Sequence, residues 1–288
     1  PTGFEDDLAA LDSRHRDATP AEREAYVLML LKRMAEPSSR RTPEENLAAW
    51  ERGWSENLAL IERDGVTEAS LTPRYNRPKR YLRCEGRLLV CENPHLEHAL
   101  FRHMRAIVFE RWLQPFDGVI EIGCGSGQNV LALAKAFPEK RIGGFDWTAA
   151  SNRIVARIGE AVGRSIEARR FDVTAPPDDL TLAPSTALLT VHALEQIGER
   201  HDGFVDFVLR ARPALVVNVE PVLELYDHDD LLDYLAWSYS VRRDYLAGYY
   251  TRLRQLEGEG RVEIVALQRT RLGGEIHEGN TLLIWRPR

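Results

Sequence analysis

The clearest chemical intent lies in one short stretch, "DGVIEIGCGSGQN", Asp117 to Asn129. An apolar run carries a single acid, Glu121, then breaks into glycines at alternate positions, Gly123, Gly125 and Gly127. Glycine at such a turn admits positive φ and lets bare backbone approach a ligand. A dinucleotide-binding turn is spaced Gly-x-Gly-x-x-Gly, which would require glycine where this chain has Gln128. An acid inside the strand would also repel a pyrophosphate held at the next helix N-terminus. The combination suits a ligand with a positive centre or a free amine.

Other groups could act beside that turn. His192 follows the apolar run 186–191, at the sheet edge where open α/β folds bind ligands. It reads either as a general base or acceptor contact, or as a packing or cofactor-contacting histidine. Glu195 could accept from a substrate amine or cap the following turn. Glu220 closes the run 214–220; a buried carboxylate needs a partner or a ligand, and a site role is favoured. Six of the nine tyrosines fall between 226 and 250, together with Trp237. Aromatics at helical spacing usually belong to a core, but Tyr226 and Tyr234, nearest the end of that run, are the ones expected to line an acceptor pocket. In "RYNRP", Arg74 or Arg77 could clamp a carboxylate and Tyr75 could close over a ligand. His95, His98 and Arg102 share a helix face, but no further ligand cluster accompanies them, so no metal site is expected.

The order of motifs resembles the Rossmann-like (class I) S-adenosylmethionine-dependent methyltransferases. Their first motif, acid-x-Gly-x-Gly-x-Gly, matches "EIGCGSG". The second strand should end in an acid for the ribose hydroxyls, here Asp146 in "GGFDWT", with Trp147 over the adenine. The third should end in a polar residue near the adenine amine, here Asp172 in "RRFDVT", with Val173 beside it. "TVHALEQIG" matches the segment after the fourth strand through Leu194, Glu195 and Ile197, and Arg212-Pro213 precedes the fifth. Five motifs in order are specific where one alone would not be.

The resemblance covers 105–288 and implies S-adenosylmethionine as cofactor. It implies a cofactor-binding set of Glu121, Gly123, Cys124, Gly125, Gly127, Asn129, Asp146, Trp147, Asp172, Val173 and His192. Catalytic roles would fall to His192, Glu195 and Tyr226, and substrate contacts to Arg74, Tyr75, Arg77, Glu220 and Tyr234. The activity expected is methyl transfer to an enclosed small molecule. The chain is also similar to the azetidine-2-carboxylate-forming enzymes of this fold, which cyclise the cofactor and release methylthioadenosine. A binding protein that keeps the nucleoside site without catalysis is a further alternative.

These groups need a scaffold, and the rhythm of the chain supplies one. Residues 1–113 read as a helical cap: helices over 20–36, 42–65 and 94–116, with a β-hairpin at 81–93. From 114 to 288, short apolar runs alternate with amphipathic segments, the mark of a mainly parallel sheet covered by helices. Strands are expected at 118–123, 141–146, 165–172, 186–191, 214–220, 261–270 and 279–287. Helices are expected near 127–137, 148–162, 200–211 and 227–258. The fold class is thus α/β, a Rossmann-like seven-stranded sheet whose last strand is antiparallel. "HEGN", 277–280, would be the loop of the final antiparallel pair, with reach over the acceptor.

Composition bounds the partners. The 288 residues carry a formal charge of −6, with acids and bases interspersed. That disfavours a nucleic-acid partner, which needs a basic face. Three cysteines without a repeated spacing do not form a disulfide framework. No run approaches the roughly 20 apolar residues of a membrane span and none reads as a leader, while Pro1 reads as a trimmed or renumbered start. The expectation is a soluble, cytoplasmic enzyme of small-molecule biosynthesis, with its oligomeric state open.

Overall fold

Two sheets organise the chain. The structure, a computed structural model, describes residues 11–36, 42–73, 76 and 78–288. Strand β1, His15–Asp17, leads into helix α1, Pro20–Ala35. Helix α2, Pro43–Asp64, and a single turn α3, Glu68–Leu71, follow. Thr19 with Glu22 and Thr42 with Glu45 form reciprocal capping boxes, each with proline at the first helical position. Such a cap stabilises a helix by about 1 kcal/mol. Strands β2, Tyr81–Cys84, and β3, Arg87–Cys91, make the expected hairpin. Helix α4, Leu96–Val108, runs on into a wider π turn, Phe109–Leu113.

The large sheet then builds in order. Strand β4, Gly118–Ile122, leads to α5, Gln128–Ala136; β5, Arg141–Asp146, to α6, Ala149–Val162. Strands β6, Glu167–Arg170, and β7, Thr186–Val191, precede α7, Asp202–Ala211, and β8, Leu215–Glu220. Helices α8, Leu231–Arg242, and α9, Tyr249–Gly258, precede β9, Val262–Arg269, the short β10, Leu272–Gly273, and β11, Thr281–Pro287. The sheet order is β6-β5-β4-β7-β8-β11-β9, parallel except for β11, which is antiparallel to both neighbours. All seven strands fall where the apolar runs predict them.

Successive residues of the central strands bury on opposite faces. Val119, Leu189, Val217 and Ile284 join one core with α5 and α6; Ile120, Leu188, Val216 and Leu283 join the other with α7 and α9. That is the period of two that a doubly covered sheet requires. Trp54, Leu58 and Ile61 of α2 belong to the first core, so the cap docks on the sheet without a core boundary between them. Each such side chain contributes about 1.5–3 kcal/mol by leaving water.

Three features depart from expectation. The single helix expected over 227–258 is two helices, because the intervening backbone serves another purpose. The Leu246 and Ala247 amides donate to the carbonyls of Glu195 and Gly198, 3.0 and 3.3 Å away, and Asp244 takes φ 59° to allow it. β9 and β11 are not a simple hairpin: β10 leaves to pair with β2, so the small sheet reads β1-β3-β2-β10 and draws one strand from beyond residue 113. β1 and α3 carry too few residues for periodicity to reveal them. Among the described residues no helix is long and apolar enough to cross a membrane, and all three cysteines are free thiols.

Candidate functional site

The turn after β4 is held open by glycine and tied down by its neighbours. Gly123, Gly125 and Gly127 have φ of 72°, 52° and 77°. A Cβ on Gly123 would stand 2.3 Å from that of Ala193, and one on Gly125 would stand 2.8 Å from the Trp54 ring. The Gly123 and Cys124 amides both donate to the Phe145 carbonyl, fixing the turn against the end of β5. Cys124 itself is buried, its Sγ 3.1 Å from where a Cβ on Gly144 would stand.

Glu121 is almost fully enclosed beneath this turn. One oxygen accepts from Asn129 Nδ2 at 2.6 Å, and Asn129 Oδ1 accepts in turn from Arg105 Nη1 of α4 at 3.2 Å. Its other oxygen is buried without a partner. Burial pushes the carboxyl up to about 8, despite Asn129 and the Arg105 charge. Asp146, at the tip of β5, accepts from the Gly125 amide at 3.0 Å and from the Thr148 amide and hydroxyl at 2.9 and 2.6 Å. Burial raises its pKa against those bonds. Trp147 follows, partly exposed. Asp172 sits past β6 and accepts from the Thr174 amide and hydroxyl, with Val173 packed against the second core.

A second cluster stands at the ends of β7 and β8. His192 has φ 52°, a conformation seldom taken outside glycine and one that gathers at functional sites. Its Nδ1 lies 2.9 Å from Glu195 Oε2 and its Nε2 3.1 Å from Asn280 Oδ1. Asn280 Nδ2 donates to the Leu272 carbonyl, which fixes the amide's orientation. Burial would lower the His192 pKa, but Glu195, by hydrogen bond and charge, together with Glu220 and Asn280, raises it to about 9. Glu195 is buried, yet His192, His277 and Tyr245 hold its pKa below the ordinary value. Glu195 Oε1 faces His277 Nε2 at 3.6 Å. Tyr239 stacks on the His277 ring, Tyr245 meets it edge-on, and Phe101 of α4 stands 6.1 Å from His192.

Glu220 is spent on structure. It accepts from the amides of Ala193, Leu194 and Glu195 at 3.0, 3.2 and 3.0 Å, anchoring the turn that carries the cluster. Burial lifts it to about 7. Tyr226 is buried, its hydroxyl donating to the Glu278 carbonyl at 2.9 Å and its ring lying under Arg269. It helps line a cavity of about 490 Å³ with Trp237, His228 and Glu224. Tyr234 is 46% exposed and packs on His228 and Trp237 at the surface. Arg74, Tyr75 and Arg77 lie outside the described residues. Among those described, no group of three or more His, Cys, Asp or Glu is placed to hold a metal ion.

The structure therefore brings together Glu121, Asn129, Asp146 and the glycines on one side, and His192, Glu195 and Glu220 on the other, joined where Gly123 meets Ala193. Sequence reasoning missed His277, Asn280, Tyr239 and Tyr245 as partners of His192 and Glu195. The signal available was the polar "HEGN" segment, whose fold-back onto β7 no local pattern encodes. It also missed Trp54, Phe101 and Arg105, the cap residues at this edge.

A buried ionic group secures the fold-back. Arg269 binds Asp233 with two bonds of 2.6 Å and Glu278 with one of 2.8 Å. Arg83 of the hairpin donates to the Ile276 carbonyl and lies 3.5 Å from Asp233.

No protein-family model matches the chain, and no curated protein matches it. Solved structures do. PigF with SAH is 14% identical, with a TM-score of 0.50 over 91% of this chain and 69% of its own. The O-methyltransferase from a trans-AT PKS multienzyme of Brevibacillus brevis, in complex with S-adenosyl-L-homocysteine, is 12% identical. Its TM-score is 0.47, over 66% of this chain and 74% of its own. The O-methyltransferase NcsB1 from neocarzinostatin biosynthesis is 14% identical, with a TM-score of 0.43 over 84% of this chain and 70% of its own. At such identities the likeness to PigF establishes the α/β fold, seven-stranded sheet included, and nothing finer.

Proposed function

We propose that the chain is an S-adenosylmethionine-dependent methyltransferase acting on a small molecule enclosed between the sheet edge and the cap formed by residues 1–113. The observation that carries this reading is the buried, unpartnered oxygen of Glu121 beneath a turn of bare backbone. Burial holds this carboxyl at about 8, more than Asn129 and the Arg105 charge offset. A ligand ammonium would add a nearer counter-charge, and the methionine part of the cofactor carries an ammonium and a sulfonium. PigF holds S-adenosylhomocysteine, which supports the same choice.

The residues present fit that group. Glu121 would accept from its amine, with Asn129 and Arg105 orienting the carboxylate. The open turn at Gly123 and Gly125 would carry its tail, and Asp146, braced by Thr148, would face its sugar. When bound, the cofactor supplies an electrophilic methyl on a good leaving group, so the protein's work is alignment and exclusion of water. Trp54, Phe101 and Arg105 reach the edge from the cap and would provide that exclusion.

The test has two stages. Calorimetry with S-adenosylhomocysteine should show one site per chain; absence of binding sinks the proposal. Incubation with S-adenosylmethionine, alone and with hydroxyl- and amine-bearing acceptors, is then read by mass spectrometry. Acceptor-dependent S-adenosylhomocysteine is the expected product. Methylthioadenosine formed without any acceptor would replace methyl transfer by the cyclase reading. Binding with neither product would leave a non-catalytic nucleoside-binding protein.

A further inference from the structure

One cavity lies apart from both clusters. Its volume is about 490 Å³, and it is lined by Leu223, Tyr226, Trp237 and Val241, with Glu224 and His228 as its polar side chains. Among the described residues, none of Glu121, Asp146, His192 or Glu195 lines it, and none from the cap does. Its walls come from the turn after β8 and from α8, where Trp237 and Val241 stand four residues apart and so share a face. Apolar and aromatic walls with a few polar groups, in a space of this size, are what encloses a small molecule. A single side chain of another protein would leave most of that space unfilled.

The chemistry of the walls selects a charge. Trp237 is half-buried, its ring centroid 4.5 Å from that of His228 and 5.8 Å from that of Tyr234. Tyr226 offers ring surface rather than a donor, because its hydroxyl is given to the Glu278 carbonyl. Arg269 stands 4.6 Å from the Tyr226 ring centroid, and its charge is met by Asp233 and Glu278. Aromatic faces attract cations, tryptophan most strongly. Glu224 supplies a carboxylate beside them. The bonds it accepts, from the Thr251 amide at 3.2 Å and hydroxyl at 3.5 Å, both fall on Oε1. They cap α9, whose own N-cap is Gly248, and Oε2 stays available. The neighbourhood has the same sign. From Pro213 to Val241 the chain has six acids and neither lysine nor arginine. Glu220 and Asp233 are spent inside the fold, on amides and on Arg269. Asp227 and Asp230 accept from backbone amides, and among the described residues no ion pair neutralises them, Glu224 or Asp229. A neutral guest would gain nothing from these carboxylates, and an anion would be repelled.

We propose that this cavity is a separate ligand site, for an organic ammonium ion with an aromatic or branched apolar body. The ammonium would lie against Glu224 Oε2, and the body would pack on Trp237 and Tyr226. No covalent bond is made or broken there. Charge and shape together set the occupant, so an alcohol of the same shape is a poor substitute. The proposal stands or falls without the methyl-transfer reading, because no residue around the glycine turn takes part in it.

The experiment titrates phenethylammonium, phenethyl alcohol and phenylacetate into the whole chain at low salt. The tryptophan indole N–H signals report binding, and the Trp237 signal is the one missing in Trp237→Phe. Phenethylammonium should bind saturably and shift that signal, about tenfold or more tighter than phenethyl alcohol, with phenylacetate weaker still. Added salt should narrow the gap, because Glu224 is exposed. Equal affinity for the ammonium and the alcohol overturns the proposal, and so does the absence of saturable binding at millimolar concentration. Both results are read on the wild-type chain and need no variant to fold. Glu224→Gln keeps an oxygen for the α9 cap and should weaken phenethylammonium roughly threefold to tenfold while leaving phenethyl alcohol unchanged. An unchanged affinity for phenethylammonium in that variant also counts against the site. Excess S-adenosylhomocysteine should not displace phenethylammonium; displacement would move the cation to the sheet edge and overturn the separate site. Tighter binding of Nα-acetyl-lysinamide than of phenethylammonium would assign the cavity to a protein partner and overturn the small-molecule reading. Failure of S-adenosylhomocysteine to bind at all would overturn the methyltransferase reading and leave the phenethylammonium result standing.

Discussion

The two halves of the candidate site are assembled by different means. The glycine-turn half is written in consecutive residues: Glu121, Gly123, Gly125 and Asn129 lie on one strand, turn and helix, and Asp146 on the next strand over. The other half, at the ends of β7 and β8, is drawn from five segments. His192 and Glu195 follow β7, Tyr239 lies on α8 and Tyr245 just after it, His277 and Asn280 come from the loop before β11, and Phe101 comes from the cap. A local half depends on backbone conformation, whereas a convergent half depends on whatever clamps distant segments together. The two should therefore break differently.

The largest effect is expected at the clamp. Arg269→Met would leave Asp233 and Glu278 buried with only Arg83, at 3.5 and 3.8 Å, as a counter-charge, beside the Asp227 amide 3.0 Å from Asp233. Removing one partner of a buried ionic group costs about 3–5 kcal/mol. Urea unfolding should report that loss, and a loss under about 1 kcal/mol would mean the network does not hold the convergent half. In the local half, Gly123→Ala adds a Cβ 2.3 Å from Ala193 at a φ of 72°. Strain and overpacking together should cost about 2–4 kcal/mol, and binding of S-adenosylhomocysteine should fall with it. Wild-type affinity in that variant would show the turn does not meet the ligand.

A smaller and more discriminating effect is expected at Glu121. Glu121→Gln removes a carboxyl that burial disfavours, so the ligand-free chain should become more stable at pH 8 and above. Calorimetry should meanwhile show S-adenosylhomocysteine binding weaker by about 1–3 kcal/mol, the usual worth of a charged hydrogen bond. Opposite signs in the two measurements mark a residue kept for a ligand. If stability and affinity both fall, Glu121 belongs to the fold alone.

The same contrast explains what was legible in the sequence. The strands other than β6, whose four residues are all exposed, were readable because each alternates or runs apolar over five to eight residues between turn signals. The glycine-turn half was readable because glycine spacing and a strand-borne acid are local facts. His192 and Glu195 were readable as residues at a strand end, but their protonation was not, since it is set by Asn280, 88 positions away. The break between α8 and α9 was hidden for a related reason: its cause is the pair of carbonyls at Glu195 and Gly198, which only the folded chain brings near. Tyr226 and Tyr234 looked alike as aromatics of one helical stretch, yet one is buried with its hydroxyl committed and the other is 46% exposed. Helical spacing gives which side a residue is on, not what the neighbouring segments have already occupied.

The pH dependence of stability separates the halves with the least perturbation. His192 keeps its proton in the folded chain up to about 9, against 6.5 when unperturbed. Its contribution is therefore fully present below pH 6.5 and lost as pH rises through 9. Glu121 is shifted in the same sense, from 4.5 to about 8, and the folded chain again binds the proton more tightly than the unfolded one. Its contribution is present below pH 4.5 and lost as pH rises through 8. Each group then makes stability fall with rising pH inside its own window, by at most about 1.4 kcal/mol per pH unit per proton. Glu121→Gln should remove the local half's share of the fall between pH 4.5 and 8; Glu220, raised to about 7 in the convergent half, carries the rest of the fall up to pH 7. His192→Gln should flatten the part between pH 6.5 and 9, which belongs to the convergent half. Urea midpoints measured every half pH unit would resolve the two. A wild-type curve that stays level from pH 7 to 9 would mean that His192 is already neutral in the folded chain, and a neutral His192 would have the lone pair that its contacts with Glu195 and Asn280 deny it.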